Sequence, residues 1–135
     1  MELQTVFDTR RSVRSYDEQK TVSKEQIKEL VEAGIQAPSW KNSQTARYYC
    51  VLDDTLKEQF RKECLPEFNS NSSAGAALVV TTFVANRSGF DRSGTPDNEV
   101  GNGWGYYDLG LHNENFLLKA AELGLDTLVM GIRDA

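Results

Sequence analysis

Apolar positions recur at helical spacing over residues 23–37, where Ile27, Leu30, Val31 and Ile35 form one stripe and Lys24, Lys28, Glu29 and Glu32 form the opposite face. Ser23 and Gln26 have the spacing of a capping box, and Val22 is placed to staple onto Ile27 across the helix start. Pro38 ends the run, because the residue before a proline is pushed out of the helical region. Leu3, Val6 and Phe7 predict a short helix upstream, and Leu56, Phe60 and Cys64 predict another over residues 54–64. Helical spacing returns over residues 104–123. Tyr106, Leu109, Asn113, Phe116, Leu117 and Ala120 share one face there, and Leu111, Leu118 and Ala121 populate another, which predicts a helix buried nearly all round. Gly124 is its left-handed stop.

Three segments read as strands: 47–52, aromatic and β-branched; 77–84, almost continuously apolar; and 127–132. Alternating with helices, they predict a mixed α/β layering with the sheet covered on both faces. Residues 86–103 are polar and hold Pro96 with Gly89, Gly94, Gly101 and Gly103. At that length they form either a mobile segment or a binding loop. Residues 69–73 read as a short polar loop.

The 135 residues, 39% hydrophobic, suffice for one domain with its own core, spanning 1–135. Scaling laws for a 15.1 kDa chain put its folded surface at roughly 7,000 Å². A net charge of −5 without a long basic run argues against nucleic-acid binding. The longest apolar run, 74–84, falls short of the roughly 18 residues that a membrane span needs. The polar, acidic start at Met1-Glu2-Leu3-Gln4 is unlike a secretion signal, so a cytoplasmic location is expected. Cys50 and Cys64 form no CxxC pair and are expected to pack as small apolar groups.

Two segments concentrate candidate chemistry. Arg10, Arg11 and Arg14 with Ser12 could grip an anion through forked, charge-assisted hydrogen bonds, or could form a surface turn paired with Asp8, Asp17 and Glu18. Pro38, Ser39, Trp40, Asn42 and their neighbours between helix and strand carry amides and hydroxyls able to read the edge of a heterocycle, or to satisfy local backbone. Gly101, Gly103 and Gly105 lack the GxGxxG spacing and a preceding strand, which excludes a dinucleotide fingerprint. His112, the single histidine, completes neither a metal set nor a hydrolytic triad and is expected to be a helix residue without chemistry.

The order Arg10-Arg11-Ser12-Val13-Arg14-Ser15-Tyr16, then Ala37-Pro38-Ser39-Trp40-Lys41-Asn42-Ser43-Gln44, then Leu123-Gly124-Leu125-Asp126-Thr127-Leu128-Val129-Met130-Gly131 resembles the FMN-dependent nitroreductase family over nearly the whole chain. The resemblance implies an α+β fold, a central mainly antiparallel sheet flanked by helices, in a homodimer with FMN at the subunit interface. It implies that Arg10, Arg11 and Ser12 hold the phosphate and ribityl chain and that Arg14 approaches the pyrimidine edge of the flavin. Pro38, Ser39, Trp40 and Asn42 would reach the flavin held mainly by the partner. Leu128, Met130 and Gly131 would pack near the ring, and Phe90 and Trp104 would border the substrate side. The implied activity is ping-pong hydride transfer through flavin N5, from NADH or NADPH to a nitroaromatic, a quinone or a similar small acceptor, with no side chain acting as acid, base or nucleophile. A flavin-binding module without turnover is the alternative. Thr45 stands where the family usually has Pro. The family's next strand, a basic pair and a partner-embracing tail lie beyond the point where this chain stops, which implies weaker FMN retention and an exposed sheet edge.

Overall fold

In the computed structural model, which describes residues 1–134, the predicted capping box opens helix α2 (Lys24–Ile35). Ser23 Oγ accepts the Gln26 N–H at 3.1 Å, and Gln26 Oε1 accepts the Ser23 N–H at 2.9 Å. Ile27 and Leu30 form the buried core with Ala120, and Val22, Val31, Val79, Phe116 and Leu125 pack against them. Ile35 leaves the expected stripe and is exposed. The buried line runs through Ile27, Leu30 and Gly34, and one further residue turns the chain by about 100°, to the solvent side.

The other helices are α1 (Leu3–Thr9), α3 (Asp54–Cys64), α4 (Glu67–Ser72) and α5 (Gly103–Glu122). Helix α4 occupies the segment read as a polar loop, and Arg61 of α3 donates from Nε and Nη2 to its Ser70 carbonyl. No residue of α3 is buried, and Leu56 is exposed, so its apolar face covers little. Helix α5 packs on α2, α1 and the sheet. It is not buried all round, because Tyr106 and Tyr107 project outward. Its fully buried line is Gly105, Asp108, His112 and Ala120, small and polar residues that let the Phe83 ring and two loops approach closely. The helix ends in a paired stop at Gly124 (φ +74°), with Leu125 N–H on the Ala120 carbonyl and Gly124 N–H on the Ala121 carbonyl.

Strands β1 (Ala46–Val51) and β2 (Leu78–Phe83) pair antiparallel from Ala46↔Phe83 to Val51↔Leu78. Tyr48 stacks on Phe116 of α5 with ring centroids 5.8 Å apart, and Thr81 Oγ1 accepts from Asn113 Nδ2. The other side shows Arg47, Tyr49, Val80 and Thr82 exposed. Among the described residues the sheet is therefore covered on one face, not two, and Cys50 is exposed instead of packed. The expected strand over 127–132 is absent. Thr127 makes one parallel bridge to Ser12, and its carbonyl accepts the Val13 N–H at 3.0 Å. The chain then docks on α3 and α4, where Ile132 O accepts from Asn69 Nδ2 and Asp134 N–H donates to Cys64 O. A strand needs a continuous edge opposite it, and the segment after Ser12 turns away as Tyr16 donates to the Val13 carbonyl.

Candidate functional site

The arginine segment leaves α1 directly, with Arg10 as its C-cap and its N–H on the Val6 carbonyl. Arg10 is half-buried, while Arg11, Ser12 and Arg14 are exposed. Neighbouring acids do not neutralise them: Asp8 accepts from Gln4, Asp17 pairs with Lys20, and Glu18 backs onto Gly75. Among the described residues no carboxylate forms a salt bridge with Arg10, Arg11 or Arg14. Arg10 and Arg11 line a cavity of about 250 Å³ with Thr9, Gly124, Asp126 and Thr127. That is below the roughly 300–1,000 Å³ of a whole small-molecule pocket. Asp126 places one opposing charge there. It also helps raise the pKa of nearby Tyr16, where burial is the larger cause and the Arg14 charge acts the other way.

The second segment is built by strain and polar anchors. After Pro38 and Ser39 the chain makes a short 3₁₀ turn, Trp40–Asn42, in which Lys41 (φ +47°) and Asn42 (φ +53°) are left-handed, followed by Gln44 at φ +52°. Each such non-glycine residue costs on the order of 1 kcal/mol or more, so the surroundings must hold it. Ser39 Oγ accepts the Gln44 N–H, and Asn42 Oδ1 accepts from Gln44 Nε2. Trp40 N–H donates to Asp108 Oδ2 at 2.9 Å, and its indole Nε1–H donates to Asp97, which also receives Lys41 Nζ.

The 86–103 loop closes beside it. Asn86 and Asn102 exchange hydrogen bonds across its base at 2.7 and 2.8 Å, and Asp91 Oδ1 gathers the N–H groups of Ser93 and Thr95. Hydrogen bonds inside the Asp91 turn hold that exposed carboxyl below its usual range, the Ser93 hydroxyl first among them. Trp104 packs on Trp40 with centroids 4.6 Å apart and ring planes tilted by 39°, meets Tyr107 edge-on and donates from Nε1 to Asn98. Phe90 is half-buried and bridges Pro96 within the loop.

The candidate residues thus fall into two groups. Arg10, Arg11 and Ser12 sit with Thr127 at the C-terminal end of α5. Leu128 and Met130, half-buried, and Gly131, exposed, follow on that side. Trp40 sits with Trp104 at the N-terminal end of the same helix. Trp104 and Ala121 are seventeen helical steps apart, about 25 Å at the α-helical rise. Among the described residues no hydrogen bond joins the arginine segment to the Pro38–Asn42 segment, so one chain does not bring them together.

Sequence reasoning missed Asp97, Asn98 and Asp108, the side chains that hold the two tryptophans. The available signal was a carboxylate four residues before His112 on a helix expected to be buried. His112 itself is buried, with Nδ1 at 2.7 Å from the Asp108 carbonyl. Among the described residues no group of three or more His, Cys, Asp or Glu is placed to hold a metal ion, and no helix is long and apolar enough to cross a membrane.

A family model described as nitroreductase family matches residues 8–135. A Bacillus subtilis (strain 168) protein, YdgI, provisionally named an NAD(P)H nitroreductase, is 30% identical over 79 residues, covering 58% of this chain and 37% of its own length. A solved structure from Desulfovibrio desulfuricans, provisionally a nitroreductase in complex with FMN, is 25% identical with a TM-score of 0.67, covering 91% of this chain and 64% of that one. Another, from Exiguobacterium sibiricum 255-15 and likewise with FMN, is 21% identical with a TM-score of 0.79 over 97% of this chain and 75% of that one. At that identity the last shows the fold alone. The chain spans less than two thirds of the length of the first two.

Proposed function

Because the chain belongs to the nitroreductase family, whose fold it shares, we propose that it is an FMN-dependent oxidoreductase that uses NADH or NADPH to reduce nitroaromatic, quinone or similar small acceptors. When bound, FMN supplies the hydride and electron chemistry, accepting from the pyridine nucleotide and giving to the acceptor. The observation that carries the reading is that Arg10 and Arg11 line a cavity while pairing with no acid among the described residues.

In this reading Arg10, Arg11 and Ser12 hold the phosphate and ribityl chain by charge-assisted hydrogen bonds, and Arg14 lies toward the pyrimidine edge. Leu128, Met130 and Gly131 supply backbone groups and packing near the ring. Pro38, Ser39, Trp40 and Asn42 approach the flavin of a second copy, with Phe90 and Trp104 on the acceptor side. The 25 Å that separates the two groups along α5 is what favours a site shared by two copies. The surface agrees with that arrangement. At 8915 Å² the chain exposes more than the roughly 7,000 Å² expected for its mass, with Tyr49, Tyr106 and Tyr107 among its exposed residues. No side chain is required as acid, base or nucleophile; the protein binds, orients and excludes water. The site is read as working in the cytoplasm.

The test is to purify the chain, titrate FMN, then add NADH or NADPH without oxygen. Visible flavin absorbance that bleaches on addition supports the activity. FMN binding without bleaching identifies a flavin-binding module, and a preparation that fails to bind FMN overturns both readings.

A further inference from the structure

Asp108 is 3% exposed and is the one carboxylate among the described residues that is buried. Its hydrogen-bond partners lie in two loops distant in sequence. Oδ2 accepts the backbone N–H of Trp40 at 2.9 Å and the hydroxyl of Ser88 at 2.6 Å. Ser88 Oγ in turn lies 2.7 Å from Ser43 Oγ and 3.1 Å from Thr45 Oγ1, and Thr45 and Ser88 are each 1% exposed. One oxygen on α5 therefore ties the 38–45 loop to the 86–103 loop.

Burial of a carboxylate is costly unless hydrogen bonds compensate it, and an apolar side chain could fill the same space without that penalty. What the carboxylate adds is direction, since it fixes the Trp40 amide at the start of a turn whose residues Lys41, Asn42 and Gln44 are all left-handed. Strained backbone of this kind persists only where its surroundings over-determine it. The anchored amide belongs to the tryptophan that packs against Trp104. Asp97 holds the outer edge of the same indole, but from an exposed loop and shared with Lys41.

We propose that Asp108 is a positioning residue: it holds the Trp40 turn in its strained form and so sets the Trp40–Trp104 pair that borders the site. Only the last consequence, an effect on flavin binding, rests on the function proposed above.

Trp40 and Trp104 are the two tryptophans of the chain, so the exciton couplet of their close, tilted indoles in circular dichroism reads the turn with no ligand present. In Asp108→Ala the couplet is expected to fall by more than half and FMN affinity to weaken about tenfold, as for a lost hydrogen bond to a charged group. Asp108→Asn keeps an acceptor oxygen at the same place and is expected to restore the couplet. Ser88→Ala removes one of the two bonds without emptying position 108. It is expected to diminish the couplet, and it decides the matter if Asp108→Ala fails to fold. A couplet unchanged in Ser88→Ala and in any folded Asp108→Ala overturns the proposal, as does a loss that Asp108→Asn does not repair. A couplet lost and repaired as expected, with FMN affinity unmoved, upholds the positioning role and overturns the placement of Trp40 at the flavin.

Discussion

The hydroxyl of Tyr48 stands directly against Gly34: a Cβ on that glycine would lie 2.5 Å from Oη and 3.1 Å from Cζ, with the His112 carbonyl at 3.4 Å. Strand β1, α2 and α5 meet at this point, so the missing side chain sets how closely they approach. Gly34→Ala is expected to destabilise the fold by about 1–3 kcal/mol through overpacking, despite alanine's better helix propensity. Adding Tyr48→Phe removes the closest contact and should recover part of the loss. A double-mutant cycle by urea denaturation reads that coupling.

Burial pushes the Tyr48 phenol up to about 12, and its oxygen has no hydrogen-bond partner among the described residues. Below the ordinary value of 10.0 both folded and unfolded chains keep the proton. Between 10.0 and about 12 the unfolded chain ionises first, so stability is lost as pH rises through that window. Tyr48→Phe should be neutral or stabilising at pH 7, because it removes an unpaired buried hydroxyl, and should flatten the alkaline loss. Urea midpoints measured against pH, with the parent chain alongside, check both.

Arg10→Ala is expected to weaken FMN binding by about 1.5–3 kcal/mol, the size of a lost charge-assisted contact. Asp126→Asn should act in the opposite direction, because its carboxylate lines the same cavity and repels an anion. Fluorescence titration of FMN at low and high salt reads both changes, and screening should shrink them together. Equal affinity in parent and Arg10→Ala would remove the phosphate assignment.

Ser23→Ala breaks the capping box at the start of α2 and is expected to cost about 1 kcal/mol, whereas Ser23→Gly should lose only a few tenths. Thermal unfolding of the two variants separates the hydrogen bond from the residue's backbone preference.

Much of the local structure was legible. The Ser23 cap, the Gly124 stop and two of the three strands follow from rules that act over a few residues, where side-chain chemistry and backbone preference decide the outcome. The third predicted strand failed because β-propensity says nothing about whether an edge is available to pair with, and Ser12 alone meets Thr127. Burial was misjudged for the same kind of reason. Ile35 and Tyr106 have largely apolar side chains at plausible positions, but both stay exposed, Tyr106 although the Phe83 ring meets it edge-on.

By itself the sequence determined the family, through three motifs in order, together with the extents of α2, α3 and α5 and the arginines that carry positive charge at one point of the chain. Tertiary structure alone decided that Asp8 and Asp17 leave those arginines unpaired, and that Asp108 anchors a turn 68 residues away. It also decided that the two halves of the candidate site sit at opposite ends of one helix. Propensity and capping depend on neighbours along the chain, whereas the partner of a buried carboxylate depends on which distant backbone the fold brings within hydrogen-bond reach.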